Sequence, residues 1–268
     1  MLVIGLFSCH IHPSNETGEI PREKVAVFDS ILAHAGVEGS VLIFDQSKNI
    51  LYSNDFDWAD VGRLPASTFK IVNSIVALES GVVDYDTTIF RWNGKKRRLK
   101  QWEQNMNLRE AFHLSCVPCY QQIALTVGPE RMKKILEKLN YGNMVVDSTN
   151  IDRFWLEGDS KVSQVQQIDF LERFYDNKLP IANSSFRLIK EMMVIDSNQV
   201  YKLSGKTGWS IRNGNNNGWF VGYLEKGDEV FFFATNVSPH QSFDMKLFPV
   251  IRKEITMKAF QAMGFIKE

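Results

Sequence analysis

The chain has 268 residues, of which 44% are apolar and 23% charged, and lysine plus arginine and aspartate plus glutamate each total 31. Such a composition describes a soluble globular protein of one or two domains with room for a sizeable core. A formal net charge of zero gives no global attraction to nucleic acid or to an anionic membrane, and no nucleic-acid partner is expected.

Residues 1–7 are apolar but too few to span a bilayer, and no basic stretch precedes them. Two readings of LFSC at 6–9 stand. It is the tail of a lipoprotein signal with Cys9 as the lipidated residue, or a fortuitous apolar start or start codon within a longer signal peptide. Both point to export, and a lipid anchor at Cys9 is the one membrane attachment expected. Residues 1–20 are read as signal remnant and linker, and residues 21–268 as a single domain.

PREKVAVFDSILAHAG at 21–36 predicts a helix with Pro21 in its first turn, an apolar face of Val25, Phe28, Ile31, Leu32 and Ala35, and Gly36 at its end. SVLIFDQ (40–46) and NILYSND (49–55) alternate as strands joined tightly at Ser47–Lys48. From residue 65 to about 195 the periodicity is mainly helical. Strand patterns return in YKLSGKTGWS (201–210), GWFVGYLEK (218–226) and EVFFFATNVS (229–238). NGNNNG at 213–218 reads as a polar loop, Gly227–Asp228 as a hairpin turn, and Pro249 to Met263 as a closing helix. The expected fold is α/β of the α+β kind: an antiparallel sheet built from both chain ends, terminal helices on one face, and an inserted helical region. The sheet part covers about 21–62 and 196–268, the helical part about 63–195.

LPASTFKIVNS at 64–74 places Ser67 and Lys70 three apart in the first turn of an apolar helix. A serine hydroxyl is a weak nucleophile without a base beside it. A lysine is a poor base near neutral pH unless burial or the positive end of a helix disfavours its ammonium form. Alone, the pair is weak, since serine and lysine at this spacing are commonly a cap and a solvated side chain. Its companions change that: SCV at 115–117, YGN at 141–143, FWLEG at 154–158, and KTG at 206–208 followed by Trp209. In this order the set resembles the penicillin-recognising serine acyltransferases, and its details are similar to the class D, oxacillinase-type β-lactamases over roughly residues 40 to 235.

The resemblance implies that Ser67 attacks the β-lactam carbonyl of a small-molecule substrate and forms an acyl-enzyme. It implies N-carboxylation of Lys70 by carbon dioxide or bicarbonate, with the carbamate as general base, and no metal or other cofactor. Trp155 would hold the carbamate; its other reading is a plain core aromatic. Ser115 would pass a proton to the lactam nitrogen with Lys206 beside it. Thr207 and Gly208 of KTG would meet the substrate, and the amides of Ser67 and Trp209 would form the oxyanion hole. Val117 and Leu156 match apolar residues placed over the carbamate. Trp102 is read either as an apolar wall for the drug side chain or as surface packing, and Tyr141 to Asn143 as structural. The family's location is the bacterial periplasm. A β-lactam sensor acylated at Ser67 and never released is the rival reading.

Two departures stand out. Many relatives carry an arginine near the C-terminus that pairs with the substrate carboxylate; the alignment puts Phe248 there, with Lys246 and Arg252 nearby but displaced. Carboxylate binding then rests on Thr207 and Lys206, or on one of those cations reaching in. Cys116 and Cys119 form C-V-P-C directly after Ser115. A redox pair would want a strand before it, and zinc a fourth ligand beyond these and His113. Two small buried residues, or a disulfide stiffening the segment of Ser115 and Val117, are the readings left.

Overall fold

The structure is a computed structural model describing residues 19–85 and 87–267. The chain opens with β1 (Arg22–Lys24), α1 (Val27–His34), β2 (Val37–Asp45), β3 (Ile50–Ser53) and α2 (Phe56–Asp60). A 3-10 helix, Ala66–Phe69, runs directly into α3 (Lys70–Glu79). The helical part continues with α4 (Leu108–His113), α5 (Val117–Val127), α6 (Pro129–Leu139), α7 (Gln164–Tyr175) and α8 (Asn183–Met192). It returns to the sheet through β4 (Val194–Ser197), β5 (Lys202–Arg212), β6 (Asn215–Lys226) and β7 (Glu229–Pro239), and closes with α9 (Phe248–Ala262).

The strand order is β1-β3-β2-β7-β6-β5-β4, so β2 from the start of the chain lies beside β7 from near its end. Side chains alternate across a strand, and β2 uses both faces. Val41 and Ile43 join a core with Phe28 of α1, Phe231 and Phe233 of β7, and Ile255 and Phe260 of α9. Leu42 and Phe44 join the other core, with Val72 of α3, Tyr120 of α5 and Leu171 of α7. The sheet therefore separates the terminal helices from the helical region, as its composition predicts.

Two local expectations are corrected, and one strand is added. Pro21 precedes a strand: Arg22–Lys24 pairs with β3 in parallel, the one parallel pairing among the described strands, and α1 begins only at Val27. The apolar face of that helix survives the shift, with Phe28 and Leu32 buried. NGNNNG is no loop. Asn213 and Gly214 alone turn, at φ 50° and 80°, while Asn215 to Asn217 already pair with Arg212 to Ser210. Consecutive positive φ values suit a two-residue hairpin, and asparagine and glycine tolerate them. β4 had no signal of its own, because its residues are half-buried or exposed.

Candidate active site

Ser67 lies in the 3-10 turn and Lys70 is the first residue of α3. The segment before them is clamped. Asn217 Nδ2 and Trp219 Nε1, both on β6, each donate to the Leu64 carbonyl at 2.9 Å. Ala66 sits at φ 52°, a region unfavourable for a side-chain-bearing residue, and its amide donates to the Trp155 carbonyl at 2.8 Å. Thr68 Oγ1 donates to the Pro65 carbonyl at 2.7 Å and accepts from Gln167 Nε2 at 3.0 Å, and Tyr141 of YGN donates to Gln167 at 3.2 Å. Tyr141 thus supports the turn from below.

Lys70 is fully buried. Its Nζ lies 2.9 Å from Ser67 Oγ and 5.1 Å from the centre of the Tyr120 ring. Burial, and secondarily the charge of Lys206, hold its pKa well below the ordinary lysine value. A neutral amine within hydrogen-bond distance of a hydroxyl can take its proton.

A second pair faces the first. Ser115, at φ 53°, accepts from Lys206 Nζ at 2.9 Å, and Lys206 also donates to the Thr207 carbonyl at 3.1 Å. Burial brings Lys206 down to about 7, helped by the nearby Arg252 and Lys253. The Ser115 segment is tied on both sides. Trp102 Nε1 and Gln101 Nε2 donate to the Leu114 carbonyl at 2.9 and 3.2 Å. Cys116 and Cys119 are joined by a disulfide, and Cys116 Sγ caps α5 by accepting the Cys119 amide at 3.2 Å. Trp102 is only 7% exposed, which removes surface packing as its role.

The far wall is β5. A Cβ on Gly208 would stand 3.0 Å from the Pro65 carbonyl oxygen and 3.0 Å from Thr68 Cγ2, so only glycine lets the strand lie against the 3-10 turn. Thr207 and Trp209 remain partly exposed beside it. Val117 and Leu156 are half-buried at the edge of the core that surrounds Lys70. Trp155 is fully buried, stacked on Phe69 with ring centroids 5.6 Å apart, and its Nε1 has no hydrogen-bond partner. A buried indole N–H without an acceptor is unfavourable.

Of the two cations near Phe248, α9 places Arg252 against β5. Phe248 is fully buried, its ring 5.2 Å from that of Trp209. Arg252, one turn on, is 4% exposed and donates to the carbonyls of Gly208, Phe248 and Pro249, with its guanidinium 6.0 Å from the Trp209 ring. No carboxylate among the described residues pairs with it, and burial lowers its pKa to about 10. Lys246 is exposed. Sequence reasoning also passed over Tyr120 and Asn73 beside Lys70, whose helical spacing marks them only as core.

Residues 39–256 match the family model of the penicillin binding protein transpeptidase domain. The chain is 41% identical over 233 residues to Beta-lactamase OXA-10 of Pseudomonas aeruginosa, covering 86% of each chain. It is 39% identical over 218 residues to Beta-lactamase OXA-48 of Klebsiella pneumoniae, covering 81% of this chain and 82% of that one. Its fold superposes on the crystal structure of a class D β-lactamase from Sebaldella termitidis with a TM-score of 0.87 at 33% identity, over 92% of this chain and 99% of the other. With Ser67 beside a fully buried Lys70, and these relatives along nearly its whole described length, the chain belongs to the class D serine β-lactamases of the penicillin-binding protein family.

Proposed function

We propose that the protein hydrolyses the amide of penicillin-type β-lactams through an acyl-enzyme on Ser67. The observation that carries this reading is the 2.9 Å contact between Ser67 Oγ and a fully buried Lys70 Nζ. Ser67 Oγ bonds to the lactam carbonyl carbon, its proton passing to the base on Lys70. The oxyanion lies between the amides of Ser67, in the first turn of a helix where amides have no internal acceptor, and of Trp209 on β5. As the carbon–nitrogen bond breaks, Ser115 hands a proton to the lactam nitrogen and is resupplied by Lys206, whose pKa of about 7 suits proton transfer in both directions. Water then attacks the ester and frees Ser67.

Carbon dioxide adds only to a neutral amine, and burial of Lys70 favours that form. Bound there as a carbamate, it provides a weak-acid anion as general base for both acylation and deacylation. Trp155 Nε1 is the donor that would hold it, and Val117 and Leu156 limit the water around it. The substrate carboxylate meets Thr207 and Lys206, with Arg252 behind Gly208 adding a desolvated cation without an anionic partner.

The rival is a β-lactam sensor acylated at the same serine, which differs in deacylation alone. The relatives that span most of both chains bear the name β-lactamase, which favours turnover. An exported, periplasmic location is part of this proposal. The Cys116–Cys119 disulfide supports it, because such bonds persist in oxidising compartments; the possible anchor at Cys9 lies outside the described residues.

The test is penicillin hydrolysis with and without bicarbonate, followed by intact mass after quenching. Multiple turnovers that rise with bicarbonate are expected. Lys70→Ala should trap the adduct, its turnover falling by roughly 10²–10⁴-fold. A single burst from the unaltered protein would make it a sensor, and wild-type turnover by Lys70→Ala would remove Lys70 from the chemistry.

A further inference from the structure

RWNGKKRRLK at 91–100 holds six cations, Arg91, Lys95, Lys96, Arg97, Arg98 and Lys100, and no acid, in a chain of zero formal charge. All but Arg97 are exposed, and none makes an ion pair with a described residue. Like charges so close repel each other, and the carboxylate of Glu103, which accepts the Arg97 amide, offsets one charge of the six at most.

The loop is nevertheless held in place. Phe90 and Met106 close its base by reciprocal backbone hydrogen bonds of 2.7 and 3.1 Å. The Trp92 amide donates to Asn105 Oδ1 at 2.9 Å, and its ring Nε1 to the Lys95 carbonyl at 2.8 Å. The returning limb grips both flanks of Ser115: Gln101 and Trp102 bond the Leu114 carbonyl, and Arg97 Nη1 lies 3.8 Å from Cys116 Sγ. Glu103, the nearest acid in the chain, is held within the loop, its Oε1 accepting the Arg97 amide at 2.9 Å, which leaves a net excess of positive charge. The loop that carries the cations is fastened to the segment Leu114 to Cys116, which faces β5 through the Ser115–Lys206 hydrogen bond, and Arg97 is the cation that touches it. In the proposed pose the ring carboxylate meets β5 and α9, so a charge on the acyl side chain is the one that adds to the attraction of the loop.

We infer that residues 91–100 collect anions at the cleft mouth and select β-lactams that carry a second negative charge on the acyl side chain. This rests on the acyl-transfer reading above, and it deepens that reading by naming a substrate class. A patch of one sign raises the local concentration of the opposite ion and speeds encounter by about 10- to 10³-fold in strong cases. The effect fades as salt shortens the screening length, about 30 Å at 0.01 M and 3 Å at 1 M.

The test measures the second-order rate constant for acylation of Ser67, which a hydrolase and a sensor both possess. Three penicillins are compared across that salt range: the dianionic α-carboxybenzyl, the monoanionic benzyl and the zwitterionic α-aminobenzyl compound. The expected result is a fall of about tenfold for the dianion, a smaller one for the monoanion and the least for the zwitterion. In Lys95→Glu/Lys96→Glu/Arg98→Glu, checked for folding by thermal unfolding, the dianion-to-zwitterion ratio should drop several-fold. The milder Lys95→Gln/Lys96→Gln/Arg98→Gln should fall between. Equal salt slopes for the three compounds, or an unchanged ratio in both variants, would overturn the loop's role and leave the acyl-transfer reading intact. Equal slopes together with loop-dependent binding to phosphatidylglycerol vesicles would assign the cations to a membrane surface instead. No acylation by any of the three would overturn both readings.

Discussion

Trp155, whose carbonyl holds the Ala66 amide before the nucleophile, has a buried ring N–H without a partner. Replacing it by phenylalanine removes an unpartnered buried N–H, so thermal stability should change little or rise slightly, since an unmade hydrogen bond contributes nothing favourable. Turnover should instead fall by about 10²-fold and recover in part at high bicarbonate, measured on one preparation beside its melting temperature. A loss of stability with unchanged turnover would make Trp155 a plain core aromatic. At this scale the nucleophile and its base were legible, because a spacing of three on a helix brings side chains together whatever the tertiary fold. Arg252 was not. Phe248 and Arg252 are one helical turn apart and share a face; which of them reaches the cleft depends on how α9 lies on the sheet. The phenylalanine packs under Gly218, where a Cβ would come within 2.5 Å of its ring, and the guanidinium reaches Gly208.

Among the elements, the contact between β5 and the 3-10 helix aligns the cleft. Gly208→Ala should separate them by the few tenths of an ångström that its Cβ needs against the Pro65 carbonyl and Thr68. Acylation should slow several-fold, less than the roughly 10²-fold that a misplacement of about 1 Å costs. Pre-steady-state mixing checks this, and an unchanged acylation rate would show that the strand does not set the geometry. The central strands could be read in advance because alternation survives when both faces are buried by different layers, as Val41 and Leu42 show. Element ends were less legible. Pro21 suits a first helical turn equally well as the residue before an edge strand, and parallel pairing with β3 decides between them. The run of asparagines looked like a loop because its polar residues lie on a strand end that faces solvent and the Leu64 carbonyl.

For the molecule as a whole, its two buried lysines shape stability as a function of pH. With Lys70 unmodified, as in bicarbonate-free buffer, Lys206 is held at about 7 and Lys70 well below its ordinary value. Between about pH 7 and the ordinary lysine value of about 10.4, the unfolded chain binds protons that the folded chain refuses, and stability should rise with pH. The buried Tyr120, Tyr141 and Tyr223 have raised pKa values, so they oppose that rise once the pH passes about 10. Denaturant midpoints from pH 6 to 11 should climb and then level or fall. Lys206→Met should flatten the climb, and a slope unaltered in that variant would refute the assignment. The layered plan was legible from strand patterns at both chain ends; the order of the strands was not, since partner choice between β2, β3 and β7 leaves no local mark.

That strand order also sets a timetable for making the protein. β2 is complete by residue 45, but its neighbour β7 does not begin until residue 229. At about 5–20 residues per second the ribosome takes on the order of 10–40 s to deliver it. For that time Ser67 and Lys70 already exist as chain while the sheet that will carry their cleft lacks its middle strand, and one edge of β2 is open to unwanted pairing. A message cut short before β7 therefore yields no partial catalyst; it yields a chain with an exposed strand edge, suited to aggregation or to a protease.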